Sequence, residues 1–262
     1  MTTPSAFKII PNAHPMPEAD RLKAFEQLGF GTLFCDHMAV VRWREGEGWG
    51  AGEIVARAPF QMDPASSVLH YAQEIFEGLK AYRAADGRAT LFRPERNARR
   101  FNESARRMAL PELPEEIFIG AIEALLRVDA KWIPKGEGES LYLRPFMFAS
   151  ETFLGVRASK ECVFCVIASP VGAYFKGGAK PVTIWASENY TRAAPGGTGA
   201  AKCGGNYAAS LVPQGEAMAH GHDQVVFLDA EQHQWIEELG GMTLHFVFDD
   251  GRLLPPALTG TI

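Results

Sequence analysis

The chain has 262 residues, a formal net charge of −5 and 47% apolar residues, which is the composition of an ordinary globular protein. No run of lysine and arginine is long enough to predict nucleic acid or an anionic membrane surface as a partner. The N-terminal segment lacks the apolar core of a signal peptide, and no apolar run approaches the length that spans a bilayer. We therefore expect a cytoplasmic protein.

Strands and helices are mixed through the first two thirds of the chain. The predicted strands are 38–44, 53–56, the end of the segment 68–83, 89–93, 140–150 and 161–169, and the predicted helices are 97–110 and one that opens at Pro114. In the second helix Phe118, Ile122 and Leu125 recur at the spacing of a single core-facing stripe. This mixture predicts an α/β or α+β fold.

Two short motifs have the spacing of metal ligands. Cys162 and Cys165 form a C-x2-C pair, but they lie in the continuous apolar run ECVFCVIAS, which is typical of a buried strand. His220 and His222 have no third ligand nearby in the sequence, which favours a polar turn. We therefore predict buried thiols and no metal site.

The segment from Lys176 to Pro181 is the best candidate for an interdomain linker, because it is short and polar and contains two glycines and a closing proline. The predicted organisation is an N-terminal domain at 1–175, a linker at 176–180 and a partial C-terminal domain at 181–262. In the second domain the predicted elements are the strands VTIWAS, QVVFLDA and MTLHFVF and one helix that begins near Tyr207. Ligands tend to bind where two such domains meet.

Lys202 lies in the glycine-rich stretch GGTGAAKCGGNY, residues 196–207. A phosphate-binding P-loop is excluded, since it requires glycine before the lysine and serine or threonine after it, where this chain has Ala201 and Cys203. A solvent-exposed lysine remains possible. The small, poorly solvating neighbours also favour the neutral amine, which can form a Schiff base with a carbonyl compound. The residues alone leave both interpretations open.

Six ordered motifs, from about residue 10 to the end of the chain, resemble the branched-chain amino acid aminotransferases, the fold-type IV group of pyridoxal-phosphate enzymes. These motifs are HYAQEIFEGLKAYR, LFRPERNARRFNESARRM, SLYLRPF, SPVGAYFKGG, AAKCGGNYAAS and DQVVFLDA with IEELGGM. The resemblance implies a two-domain fold-type IV enzyme that transaminates leucine, isoleucine and valine with 2-oxoglutarate.

The resemblance also implies which residues bind pyridoxal 5'-phosphate. Lys202 is expected to bind the cofactor covalently and then to move the substrate proton, and Tyr207 to contact the phenolic oxygen of the cofactor. Glu238 is expected to face the pyridine nitrogen, with Glu237 as a surface charge. Arg100 is expected to bind the phosphate; its neighbour Arg99 is expected to face solvent.

Substrate contacts are implied for aromatic residues and one arginine, which would surround the aliphatic or carboxylated side chain of the amino acid. These residues are Tyr71, Phe76, Tyr142, Arg144 and Tyr174. Because some contacts of this family cross a subunit interface, the resemblance implies a homodimer.

The chain departs from the family pattern in several places. Pro213 and Gly215 fall in the helix after Tyr207 and are expected to weaken it, and Thr243 and His245 are expected to loosen the strand beyond the IEELGGM motif. The family continues past residue 262 with a helix whose N-terminus binds the phosphate. We therefore expect a truncated chain with an incomplete second domain, weak cofactor binding and low or no activity. The alternatives are a D-amino acid aminotransferase, an aminodeoxychorismate lyase, and a non-catalytic remnant.

Overall fold

A computed structural model describes residues 7–173 and 180–257. The chain divides into two compact units, Met1–Gly178 and Ala179–Ile262, and both contain strands and helices, which confirms the predicted mixed α/β class. The predicted linker lies outside the described residues except for Lys180, so the limits of the two domains stay predictions. Within the described ranges, no helix is long and apolar enough to cross a bilayer.

The first unit is built on one large sheet. Its strands are β1 (Lys8–Ile9), β2 (His37–Arg44), β3 (Gly48–Trp49), β4 (Glu53–Ala56), β5 (Glu74–Phe76), β6 (Leu79–Arg83), β7 (Ala89–Leu91), β8 (Ser140–Ala149) and β9 (Glu161–Val171). The order across the sheet is β1-β4-β2-β9-β8-β6-β7, with β3 paired to β2 and β5 paired to β8. All of these pairs are antiparallel except β1 with β4.

The first unit also contains helices. They are α1 (Glu18–Phe25), α2 (Val68–Tyr71), α3 (Pro94–Arg107) and α4 (Glu115–Val128), followed by a 3-10 turn at Ala130–Trp132. The rings of Phe101 of α3 and Phe118 of α4 pack on Phe164 of β9, with centroid distances to Phe164 of 5.6 and 5.9 Å. The predicted apolar stripe of α4 therefore does face the core. Helix α3 begins three residues earlier than predicted, because Pro94 is favourable in a first turn.

Strand β9 is buried on both faces, which explains why its sequence is apolar throughout. Val163 and Cys165 join Met38 and Phe148 in a cluster on one face, and Phe164 packs on the other. Cys162 and Cys165 are three residues apart and so point to opposite faces. Burial raises the pKa of the Cys162 thiol to about 12 and raises that of Cys165 as well. Both cysteines are buried thiols, as predicted.

In the part of the second unit that the structure describes, residues 180–257, the chain forms two small sheets and two helices. Its elements are β10 (Ile184–Ser187), α5 (Gly204–Ala208), α6 (Leu211–Ala219), β11 (Gln224–Leu228), β12 (Ile236–Leu239), β13 (Phe246–Val247) and β14 (Leu253–Leu254). The strands β10 and β11 are parallel, β11 and β12 are antiparallel, and β13 is antiparallel to β14. Helix α6 packs on β11, where Ala217, Val225 and Phe227 are fully buried.

The prediction of one helix that begins near Tyr207 was wrong, because the helical structure is interrupted between the end of α5 at Ala208 and the start of α6 at Leu211. The break places Pro213 third in α6, within its first turn. The N–H groups of a first turn have no intrahelical partner, so a proline there removes no helical hydrogen bond. The expected cost of an interior proline therefore does not arise. Gly215 does lie inside α6, and a Cβ added there would meet open space.

The prediction of a strand at MTLHFVF was wrong for most of its length, since only Phe246 and Val247 form one. The nearby strand β12 consists of the IEEL segment, which pairs with β11. At the predicted polar turn, the His220 ring stacks on Trp185 with centroids 4.6 Å apart. Among residues 7–173 and 180–257, no group of three or more histidine, cysteine or acidic side chains could hold a metal ion.

Candidate active site

The glycine-rich loop before α5 is held in shape by Asn206. The buried Asn206 amide donates to the carbonyls of Thr198, at 2.8 Å, and Ala201, at 2.7 Å. Its oxygen accepts a 2.8 Å hydrogen bond from the Thr198 hydroxyl. Gly197 must be glycine, because a Cβ there would lie 2.9 Å from the Ala194 carbonyl oxygen. The loop is therefore a defined structure on which Lys202 is carried.

Lys202 and Tyr207 meet at the end of this loop. Lys202 lies just ahead of α5, and Tyr207 is the fourth residue of that helix. The Lys202 amine donates a 2.7 Å hydrogen bond to the Tyr207 hydroxyl. Lys202 is half-buried between Ala201 and Cys203, which are 2% and 1% exposed. The interpretation of Lys202 as a solvent-exposed lysine is therefore wrong.

An arginine that sequence reasoning missed connects Tyr207 to Glu238. The side chain of Arg192 is 6% exposed, and its Nη1 lies 3.1 Å from Oε2 of Glu238. The N–H bond does not point at that oxygen, so the contact is an ion pair without hydrogen-bond geometry. The Arg192 guanidinium carbon also lies 5.7 Å from the centroid of the Tyr207 ring. A charged residue in the otherwise small and apolar segment RAAPGG was the signal that could have identified it.

Neighbouring glutamates of β12 have different surroundings, because successive side chains of a strand point to opposite faces. Glu238 faces Arg192. Glu237 is half-buried and lines a cavity of about 750 Å³ together with Trp235, Ile236 and Phe246. The prediction of Glu237 as a surface charge was therefore wrong.

In the first unit, Arg100 forms a bidentate ion pair with a glutamate that the sequence reasoning did not consider. Nε and Nη2 of Arg100 donate to the two oxygens of Glu77, at 2.6 and 2.9 Å. Glu77 is completely buried, and it also accepts from Asn97 at 2.8 Å. The Arg100 side chain stays 52% exposed, so its outer edge can meet a ligand. Arg99 is exposed as expected and lies 3.5 Å from Glu115.

Three of the predicted substrate residues form one cluster. The Arg144 guanidinium lies over the Phe76 ring, 4.5 Å from its centroid, and donates a 2.9 Å hydrogen bond to the Tyr142 hydroxyl. Nε of Arg144 is buried and meets no acceptor in the described part of the chain. Tyr71 lies on α2, and its hydroxyl donates to the Leu154 carbonyl. Tyr174 lies outside the described residues.

The predicted residues are therefore divided between the two units. Lys202, Tyr207 and Glu238 belong to the second unit, where an amine, a phenol and a carboxylate are linked through direct contacts and through Arg192. The phosphate and substrate candidates that the structure describes belong to the first unit. The first set can bind a carbonyl compound and a ring nitrogen; the second supplies two arginines for anionic groups.

The family model of amino-transferase class IV matches residues 74–262. A relative from Streptomyces coelicolor, named "Probable branched-chain-amino-acid aminotransferase", is 56% identical over 100% of this chain and 72% of its own length. The branched-chain amino acid aminotransferase of Escherichia coli matches in structure with a TM-score of 0.67 and 27% identity, over 84% of this chain and 69% of that one. The T.th. enzyme solved with pyridoxamine 5'-phosphate matches with a TM-score of 0.65 and 27% identity, over 87% and 67% of the two chains.

Proposed function

The chain belongs to the branched-chain amino acid aminotransferases of class IV, and from this premise we propose that it transfers amino groups between leucine, isoleucine or valine and 2-oxoglutarate. Pyridoxal 5'-phosphate is the cofactor of this class, and the solved T.th. enzyme contains its amino form. The single observation that best supports the proposal is the contact of the Lys202 amine with the Tyr207 hydroxyl in the second unit.

The side chains of this cluster fit the functional groups of the cofactor. Lys202 offers an amine to its aldehyde, Tyr207 a hydroxyl to its phenolic oxygen, and Glu238 a carboxylate to its ring nitrogen. Arg100 has an exposed outer edge, and its guanidinium could bind the phosphate of the cofactor. When bound, the protonated pyridine ring supplies an electron sink for the carbanion of the amino acid.

The roles of the residues follow from their chemistry. Lys202 would hold the cofactor and, once displaced by the substrate amine, move the proton at the substrate Cα. Tyr207 orients the Lys202 amine through their 2.7 Å hydrogen bond. Glu238 would keep a proton on the ring nitrogen. Its pairing with Arg192 keeps that carboxylate in a fixed place.

The cluster around Arg144 is suited to an amino acid with either an aliphatic or a carboxylated side chain. The Phe76 ring supplies apolar area, while the guanidinium and the Tyr142 hydroxyl can meet a carboxylate. We include Tyr71 and Tyr174 in the proposed substrate site on the strength of the family motifs that contain them.

We further propose that the enzyme is a cytoplasmic homodimer. Exposed apolar side chains near Tyr71 support a protein partner: Leu69 lies on the same helix and is 60% exposed, and Leu154, whose carbonyl accepts from the Tyr71 hydroxyl, is 59% exposed. A second copy of the chain is the partner that the family motifs imply.

The test is formation of L-glutamate from 2-oxoglutarate and L-valine by the 262-residue chain at saturating pyridoxal phosphate. We expect turnover that is abolished in Lys202→Ala and unchanged in Lys180→Ala, an exposed lysine of the same unit. D-alanine should give no product. Turnover of D-alanine in place of L-valine would favour the D-amino acid reaction, and a Lys202-independent signal would refute the proposal. Cofactor binding with no turnover on either substrate would indicate a non-catalytic remnant.

A further inference from the structure

Arg192 is a deeply buried charge near the proposed cofactor residues of the second unit. Its side chain is 6% exposed, and no acceptor meets its Nε in the part of the chain that the structure describes. A guanidinium removed from water is unfavourable unless another group compensates its charge. The Glu238 carboxylate, 3.1 Å away, provides that compensation.

The position of Arg192 connects two elements that are distant in the sequence. Arg192 follows β10, whereas Glu238 lies on β12, opposite Phe227 of β11. The guanidinium also lies beside the Tyr207 ring, 5.7 Å from its centroid. One buried cation therefore contacts both the residue proposed for the ring nitrogen and the residue proposed for the phenolic oxygen.

We propose that Arg192 is a positioning residue that holds the Glu238 carboxylate in place for the ring nitrogen of the cofactor. The inference rests on the proposed function and adds to it a residue that acts through Glu238. Removal of the guanidinium leaves the carboxylate without its cation and free to change rotamer. We expect the larger consequence for binding at the ring nitrogen, because the guanidinium forms an ion pair with Glu238 but only lies beside the Tyr207 ring.

The test compares two probes by equilibrium dialysis: pyridoxal phosphate, and an analogue in which a C–H replaces the ring nitrogen. Residues in direct contact commonly couple strongly enough to change an equilibrium about tenfold. We therefore expect Arg192→Gln to weaken binding of pyridoxal phosphate about tenfold and binding of the analogue less than twofold. Arg192→Lys, which keeps the cation, should recover part of the loss. The control is Arg252→Gln, an exposed arginine paired with Asp250 in the same unit, and it should change neither constant.

Equal weakening of both probes by Arg192→Gln would overturn the proposal, since it would show a general structural effect. So would an unchanged affinity for pyridoxal phosphate. A double-mutant cycle of urea unfolding with Arg192→Gln and Glu238→Gln tests the ion pair without cofactor. We expect Arg192→Gln to lower the midpoint more when Glu238 is present than when it is replaced, and additive effects would also overturn the proposal. If the unvaried chain binds neither probe while the cycle shows coupling, the proposed function fails and the ion pair stands as structural.

Discussion

Replacing Asn206 by alanine removes the three hydrogen bonds that hold the loop carrying Lys202. Two of them run from the amide to the carbonyls of Thr198 and Ala201, and the third comes from the Thr198 hydroxyl. Both carbonyls keep a backbone donor, since the Ala201 N–H reaches Thr198 and the Cys203 N–H reaches Ala201. The replacement therefore leaves neither carbonyl without a partner.

The magnitude follows from that count. A hydrogen bond contributes about 1 kcal/mol net when its loss does not orphan a buried group, so three of them contribute about 3 kcal/mol. This is a large share of the stability of a typical domain, although not all of it. We expect Asn206→Ala to lower the local opening free energy of the 196–207 loop by about 3 kcal/mol.

Hydrogen exchange read by mass spectrometry on peptides covering 196–207 measures that opening, and dialysis measures the affinity for pyridoxal phosphate. The control is Asn102→Ala, because Asn102 makes two similar hydrogen bonds, both of 2.8 Å, with the backbone of Leu113 in the first unit. We expect Asn206→Ala to weaken cofactor binding at least tenfold and Asn102→Ala to leave it unchanged. A change in loop opening below about 0.5 kcal/mol, or equal weakening by the control, would refute the reasoning, since the three bonds are expected to contribute several times that amount.

Three further predictions concern other parts of the chain. Glu77→Gln should destabilise the first unit by about 1–3 kcal/mol in thermal unfolding, since the half-exposed Arg100 loses its buried carboxylate partner. The control Glu115→Gln, at an exposed ion pair, should cost at most about 1 kcal/mol. Equal losses of stability in the two variants would contradict this prediction. Backbone N–H groups that donate to the Asp229 carboxylate, above all that of Trp235, lower the pKa of Asp229 to about 2. The ionised carboxylate therefore stabilises the folded state fully above about pH 4, and this contribution is lost as the pH falls from about 4 to 2. Asp229→Asn should therefore reduce the fall of the unfolding midpoint between about pH 4 and 2. The same pH dependence in the variant and in the unvaried chain would exclude the mechanism. Gly215→Ala should raise stability in urea unfolding by about 0.5–1 kcal/mol, because a helix-interior glycine gains a side chain in open space; a loss of stability would contradict this.

Features set by local sequence were the ones that could be predicted. Lys202 lies just ahead of α5 and Tyr207 lies within it, five residues later, and the motif that contains them is continuous in the sequence. The apolar run of β9 likewise predicts a buried strand whatever its neighbours are.

Features that depend on distant partners could not be predicted. Arg192 acquires its environment from Glu238, which is brought near by the pairing of β11 and β12. Nothing in the local sequence marks Glu77 as buried, yet it is completely buried, and Arg100 and Asn97 on α3 donate to its oxygens. The interruption between α5 and α6 accommodates a proline that looked unfavourable, and α6 then packs onto β11.

Borohydride reduction of the chain with one equivalent of pyridoxal phosphate, followed by peptide mass mapping, tests the central claim most directly. Reduction fixes the cofactor on whichever amine had bound its aldehyde. The account predicts one pyridoxyl phosphate group on Lys202, because its amine is held beside Tyr207 in a loop that the Asn206 hydrogen bonds hold in shape. Label spread over exposed lysines such as Lys180, with Lys202 unmodified, would contradict it.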